Sequence, residues 1–354
     1  MKLKRTIVST LAATGLLAGT AAVAYTPATD LPQTNITVVG GLSNLTAYQN
    51  HEQPFWTQKV PELTDGKLTV DIKGFNEMGL KGPEILRLLG QGVLPFATAT
   101  LSYFASDDPI NEAIDLAGLT PSIETAREIT DAFLPVYQEY YADDNIKVLG
   151  FSTYPAQVMF CNAEVNGLAD LKGKKVRTSS RTQAEFVEAI GGSSVTIPFG
   201  EVVPALQNTV VDCAITGSMS GYSAKWYEVS THLYALPINW NQQVHAVNQA
   251  YWDKLDPKVQ EFLEANLPIM YNEIWEAAAN ETQEGYDCNT GSDNCTRDVK
   301  GSMKLVEPTD ADRKELERIT AEIVVPKWAE RCSEQCVAAF NDTIGKILDI
   351  NVAK

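Results

Sequence analysis

The chain switches its apolar rhythm repeatedly between the two-residue period of a strand and the three-to-four-residue period of a helix. Residues 35–39 alternate as a strand that Gly40-Gly41 ends, and residues 44–51 then lead into a helix. Residues 68–72 predict a second strand. Gly82-Pro83 opens a helix whose apolar face carries Ile85, Leu86, Leu88 and Leu89 and which stops at Gly92; residues 93–99 are again strand-like. Ile129, Phe133, Val136, Tyr137 and Tyr140 fall near helical spacing and predict a helix over residues 123–141, followed by strands at 146–151 and 156–161. A second unit begins at Leu171, with strand 175–178, helix 183–190, strand 195–197, helix 201–208 and strand 211–215. Residues 257–284 read as one helix, interrupted only by Pro268 and long enough to lie along two domains.

Strand and helix in alternation predict an α/β fold with largely parallel sheets. At 354 residues the chain is long for one core and suits two domains of ~150 residues. Thr153-Tyr154-Pro155, lying between two strands, is the expected first crossing between them. The expected division places residues 25–152 with about 242–284 in domain I, and 153–241 with part of 285–354 in domain II.

The first residues change the picture of where the protein works. Lys2, Lys4 and Arg5 precede an apolar run at 7–17 that is short of the roughly 20 residues a spanning helix needs, and Ala22-Val23-Ala24 offers small residues for cleavage. The expectation is a signal peptide over residues 1–24 and a periplasmic protein with no later membrane span. Forty-five acidic against 28 basic residues give a net charge of −17, which argues against nucleic acid or anionic lipid as partner. A site for an anion must reverse that field locally, so individual arginines become the candidates. The six cysteines of an exported chain read as disulfides. Cys288 and Cys295 bracket a turn-forming loop that a short bridge would staple, and Cys161 and Cys213 could be strand neighbours. Cys332 and Cys336, four apart in a helical stretch, would strain a bridge between them, which leaves open a crossing elsewhere or a zinc site of the last four thiolates.

No enzymatic constellation stands out. His51, His232 and His245 lie far apart, no HExxH or GxSxG occurs, and most carboxylates fall on helical faces that read as solvated. No cofactor and no metal are expected. The informative stretch is Gly167-Leu-Ala-Asp-Leu-Lys-Gly-Lys-Lys-Val-Arg177, followed by Thr-Ser-Ser. Arg177 ends a predicted strand before a hydroxyl-rich turn and a helix N-terminus, where its guanidinium could hold a carboxylate through two parallel hydrogen bonds. On residues alone it could equally belong to a solvated basic cluster with Lys172, Lys174 and Lys175.

Three blocks decide between these readings by resemblance: residues 169–177, the run Ile197-Pro-Phe-Gly-Glu-Val-Val-Pro-Ala-Leu-Gln207, and Val211-Asp-Cys-Ala-Ile215 continuing to Lys225-Trp-Tyr-Glu-Val229. In order and spacing they resemble the periplasmic solute receptors of tripartite ATP-independent periplasmic (TRAP) transporters, and a weaker match at 78–104 extends the likeness over most of the chain. The resemblance implies two α/β domains hinged around a cleft, joined by crossing strands and a long helix, that close on a small organic anion and deliver it to membrane subunits. It implies that Arg177 binds the ligand carboxylate and that Phe199 forms a wall beneath it. Two positions depart from the family pattern: Gln157 stands where many members carry a second arginine, and Thr216 beside Gly217 stands near a common asparagine. These departures argue against sialic acid.

Tyr103, Tyr154, Tyr222, Trp226 and Trp240 should approach the cleft, where aromatic walls beside one arginine would suit a cyclic or aromatic monocarboxylate or a hydroxy acid. Trp240, followed by Asn241-Gln242-Gln243, is the first choice among them; Asn44 and Tyr48 are the candidates from the first domain. The expected protein is a monomeric receptor rather than an enzyme. An organosulfonate receptor, a ligand-sensing module for a signalling receptor and an exported enzyme are the rival readings.

Overall fold

A computed structural model describes residues 24–106 and 108–354; the expected signal peptide lies almost wholly outside the described residues. Eleven strands form two sheets. They are β1 (Thr34–Gly40), β2 (Leu68–Gly74), β3 (Phe96–Thr100), β4 (Ile146–Ser152), β5 (Gln157–Cys161), β6 (Lys175–Thr178), β7 (Ser193–Thr196), β8 (Cys213–Gly217), β9 (His232–Tyr234), β10 (Gln243–Asn248) and β11 (Lys304–Val306). The first sheet has the order β2-β1-β3-β10-β4 and the second β11-β9-β5-β8-β6-β7. In the first, β1 runs parallel to β2 and β3, while β10 runs antiparallel to β3 and β4. In the second, β6 is parallel to β7 and β8, and β5 is antiparallel to β8 and β9. The chain passes between sheets from β4 to β5 and back from β9 to β10. Thr153-Tyr154-Pro155 therefore lies at the first passage; the fold is the expected two-sheet α/β architecture, but its sheets are mixed rather than largely parallel, because β5 and β10, the strands entered by the two passages, run antiparallel to both neighbours.

Local signals fix the helices. Ser122 accepts from the Thr125 N–H and starts Ile123–Ala142, and Ser180 accepts from the Gln183 N–H and starts Arg181–Ala189, two residues before the apolar rhythm becomes visible. The long helix runs Pro257–Thr290, six residues beyond its expected end, and stops at Gly291 with φ 77°. It packs along β4 of the first sheet and along the short helix Ser218–Ser223 of the second, as a helix shared by both halves should.

Three strands lack a clear apolar signature and are additions to the expected strands: β9, β10 and β11. β10 is central to the first sheet and every residue of Gln-Val-His-Ala-Val-Asn is buried. Its polar side chains are satisfied internally: His245 bonds Thr98 Oγ1 at 2.9 Å and Ser152 Oγ at 2.8 Å, and Asn248 Nδ2 donates to Leu89 O at 2.8 Å. Beyond β11, C-terminal helices turn back onto the loop after β3, where Trp328 Nε1 donates to Pro109 O at 2.8 Å and Thr320 Oγ1 to Ala117 O at 2.9 Å.

The six cysteines pair as Cys161–Cys213, Cys288–Cys295 and Cys332–Cys336. Cys161 and Cys213 face each other across β5 and β8. Cys332 and Cys336 do not share one helix: the helix Val325–Arg331 ends before Cys332, whose backbone is extended, and Ser333 caps a new helix by accepting from the Cys336 N–H. No free cysteine remains, which removes the zinc alternative.

Candidate functional site

In sheets of this kind, ligand sites form beyond the carboxyl ends of parallel strands. Both sheets point such ends at one shared cavity. From the first sheet come Leu42 and Leu45 after β1, and Thr100 and Tyr103 at the end of β3. From the second come Arg177 and Ser179 at the end of β6, Phe199 after β7, and Thr216 and Ser220 at the end of β8. The two passages add Tyr154 and Gln157 on one strand and Asn241 on the other.

Arg177 is 2 % exposed, whereas Lys172 and Lys175 are exposed, so it is not part of the solvated basic cluster. Its Nε donates to Ile197 O, just past β7, at 2.9 Å and its Nη1 to Ile215 O of β8 at 2.7 Å. The guanidinium carbon lies 5.9 Å from the Trp226 ring, which in turn stacks on Phe199 at 5.4 Å. This backing holds the side chain in one place. Among the described residues no carboxylate reaches Arg177 within 4.0 Å. Burial pushes its pKa down to about 10, with nearby Tyr103 acting in the opposite direction, so it remains a cation at neutral pH. A buried cation without a counter-charge is unfavourable unless something anionic completes it.

The rest of the lining is neutral. Gln157 Nε2 donates to Pro155 O at 3.1 Å, and among the described residues no donor reaches its carbonyl oxygen. Tyr154 OH accepts from Gln243 Nε2 at 2.8 Å, and burial drives its pKa well above 10, as burial also raises that of Tyr103. The cavity thus offers one positive charge, several uncharged hydrogen-bonding groups, and apolar surface from Leu42, Leu45 and Phe199.

Of the eleven residues singled out by sequence, the fold brings Arg177, Gln157, Phe199, Thr216, Tyr103 and Tyr154 to the cavity. Trp240 and Asn44 lie outside its lining. Trp240 is buried with its Nε1 donating to Thr120 O at 3.3 Å, and its neighbour Asn241 takes the lining position. On the other side Leu42 and Leu45 flank Asn44 and reach the cavity in its place. Tyr48 and Trp226 are buried away from the lining, and Tyr222 Oη donates to Val299 O at the surface. Thr100 and Ser179 carried a legible signal, since each follows a strand; Leu45 and Ser220 carried none.

Residues 44–330 match the family described as bacterial extracellular solute-binding protein, family 7. The chain belongs to that family. The likeness to TRAP solute receptors expected from the three sequence blocks is borne out. Among relatives of this family 7 chain, the ectoine-binding periplasmic protein of Halomonas elongata is 23% identical over 224 residues, which are 62% of this chain and 65% of that protein. This chain therefore spans just under two thirds of that relative's length. The 2,3-diketo-L-gulonate-binding periplasmic protein of Escherichia coli is 28% identical over 207 residues, 57% of this chain and 62% of that protein. A Bordetella pertussis extracytoplasmic solute receptor binding pyroglutamic acid superposes with a TM-score of 0.76 at 22% identity, covering 87% of this chain and 99% of that one. A TRAP solute-binding protein from Desulfovibrio salexigens with bound orotic acid gives 0.77 at 18% identity, covering 88% and 99%. At these identities the structural likeness is one of fold.

Proposed function

We infer that this family 7 chain is the extracytoplasmic receptor of a TRAP transporter, that it binds a small organic acid through a single carboxylate held by Arg177, and that it delivers the acid to membrane subunits for uptake. The observation that supports this most is the buried Arg177: two of its nitrogens are fixed on backbone carbonyls, and no protein carboxylate neutralises it. The small, otherwise uncharged cavity favours an acid with one negative charge and a compact, partly polar body, such as a cyclic or aromatic monocarboxylate or a hydroxy acid. Structural neighbours that hold pyroglutamic acid and orotic acid fit that class. A second carboxylate would meet no second cation in the lining.

Ligand enters between the sheets, and contacts from both sides favour the closed arrangement over the open one. The two passages between the sheets are the hinge in this reading, the periplasm is its location, and the bound acid leaves chemically unchanged. Among the described residues no helix is long and apolar enough to cross a membrane.

The test is a thermal-shift screen of the purified protein with pyroglutamate, orotate, benzoate, lactate, succinate and an alkyl sulfonate, repeated on Arg177→Met. A ligand that binds only the folded state raises the melting temperature. Stabilisation by monocarboxylates that disappears in Arg177→Met is expected. Stabilisation by the sulfonate alone would move the assignment to organosulfonates, and a shift that survives in Arg177→Met would overturn it.

A further inference from the structure

The strand that returns from β9 to β10 crosses behind the cavity without regular structure, and at Asn241 its backbone takes φ 62°. Its polar groups are buried, and a single carboxylate collects them. Asp115 Oδ1 accepts from the Trp240 N–H at 3.0 Å, while Oδ2 accepts from the Asn241 N–H at 2.9 Å and from Asn239 Nδ2 at 2.7 Å. Three residues further on, the Gly118 N–H donates to Ile238 O at 2.6 Å, so the segment containing Asp115 runs alongside the passage.

The grip extends toward both sheets. Asn239 Oδ1 accepts from Gln183 Nε2 at 2.8 Å, and Gln183 Oε1 accepts from the Ser179 N–H at 2.9 Å, next to the cavity on the second sheet. On the first-sheet side Ser102 Oγ donates to Asn241 Oδ1 at 3.0 Å. In this arrangement the oxygen end of the Asn241 amide faces Ser102. Its Nδ2 has no protein acceptor among the described residues, and Asn241 lines the cavity.

We propose that Asp115 is a positioning residue that clamps Asn239–Asn241 and thereby fixes Asn241 as a specificity-determining donor, so that the receptor selects carboxylates carrying a second, neutral hydrogen-bond acceptor such as a ring carbonyl or hydroxyl. This rests on the cavity being the ligand site. An acid that lacks the acceptor would leave a desolvated N–H pair unpaired, which is costly in a closed cavity. Aspartate is required at position 115 because an ionised carboxylate only accepts, and all three of its partners donate; asparagine would turn an NH₂ against an N–H.

The experiment compares matched acids by calorimetry on the full protein: pyroglutamate against cyclopentanecarboxylate, and orotate against benzoate. In wild type the acid with the ring carbonyl should bind at least about tenfold more tightly. Asn241→Gly keeps a residue suited to positive φ while deleting the donor, and it should bring each pair to within about twofold without lowering the melting temperature of the ligand-free protein substantially. Asp115→Asn should reduce the same preference, and hydrogen exchange at the Trp240 and Asn241 amides should accelerate by at least tenfold while that of β6 is unchanged. If Asp115→Asn does not fold, Asn241→Gly decides. A preference that persists in Asn241→Gly, or no preference in a wild type whose binding still requires Arg177, overturns this proposal and leaves the receptor reading intact. Failure of wild type to bind any of the four acids overturns both.

Discussion

On the second-sheet side of the cavity a buried arginine is pinned by Ile197 O and Ile215 O and backed by Trp226, whereas on the first-sheet side Thr100, Tyr103 and Tyr154 present only neutral groups. One side is prepared before the ligand arrives; the other becomes useful only where it meets the first. That division suits a closing receptor, because a charge held on one half can capture the anion, and uncharged groups on the other half can cover it at little desolvation cost.

The sharpest way to break the comparison is to remove the charge. Arg177→Met should weaken binding of any carboxylate ligand by about 2–5 kcal/mol, the range for truncating one partner of a buried charge pair. Titration calorimetry reads this directly, and Arg177→Lys should recover only part of the loss, since a lysine cannot donate two parallel bonds.

The neutral side can be disturbed without touching a polar group. Gly82 sits at φ 115°, and a Cβ there would approach Tyr103 Cδ2 to 2.2 Å. Gly82→Ala must displace the segment or the ring, so affinity should fall by about tenfold with Arg177 untouched. Tyr103→Phe is the milder companion and should cost about 0.5–1.5 kcal/mol if the hydroxyl bonds the ligand.

Acid should strengthen the fold rather than weaken it near neutrality. Burial pushes Glu52 and Glu281 up to about 7 and raises Glu112 and Glu185 above the usual carboxylate range, while it pushes His245 down to about 3 and lowers His51. Between pH 7 and about 5 these four carboxyl groups bind more protons in the folded state than in the unfolded one, and the two histidines oppose them, so stability rises as pH falls through that window. Melting temperature should therefore be higher at pH 5.5 than at pH 7.5, and the double variant Glu52→Gln, Glu281→Gln should flatten the difference.

The smallest effect is expected where the two sides touch in solvent. Lys81 Nζ, following β2, lies 2.9 Å from Glu201 Oε1, following β7, with both side chains more than half exposed. Lys81→Ala should raise the ligand off-rate by less than about fivefold, and the difference from wild type should vanish at high salt. A larger, salt-independent change would mean that this contact, not the buried arginine, governs release.

What could be read from sequence follows the same division. On the arginine side the local pattern places Arg177 at a strand end but leaves its role open; the resemblance to TRAP solute receptors assigns it the carboxylate and points to Phe199 and Thr216. The neutral side was only half legible. Tyr103 and Tyr154 stand out as aromatics near predicted strand ends, but Leu42 and Leu45 look like ordinary core residues, and Asn44 between them drew the attention. Trp240 was preferred to Asn241 because a large aromatic is the usual cleft wall; the left-handed backbone at Asn241 and the Asp115 clamp, which turn the asparagine inward, involve contacts more than 100 positions apart in the chain. β10 escaped for a related reason: its glutamine, histidine and asparagine break the apolar run, and only the partners assembled by the fold make them buriable.

The account stands most directly on where a bound carboxylate lies. A crystal structure of the protein with its tightest-binding acid from the screen should place that carboxylate within about 2.7–3.2 Å of the Arg177 guanidinium, with the bonds to Ile197 O and Ile215 O retained. An acid bound in the cavity with its carboxylate turned away from Arg177, or bound elsewhere on the protein, would contradict it.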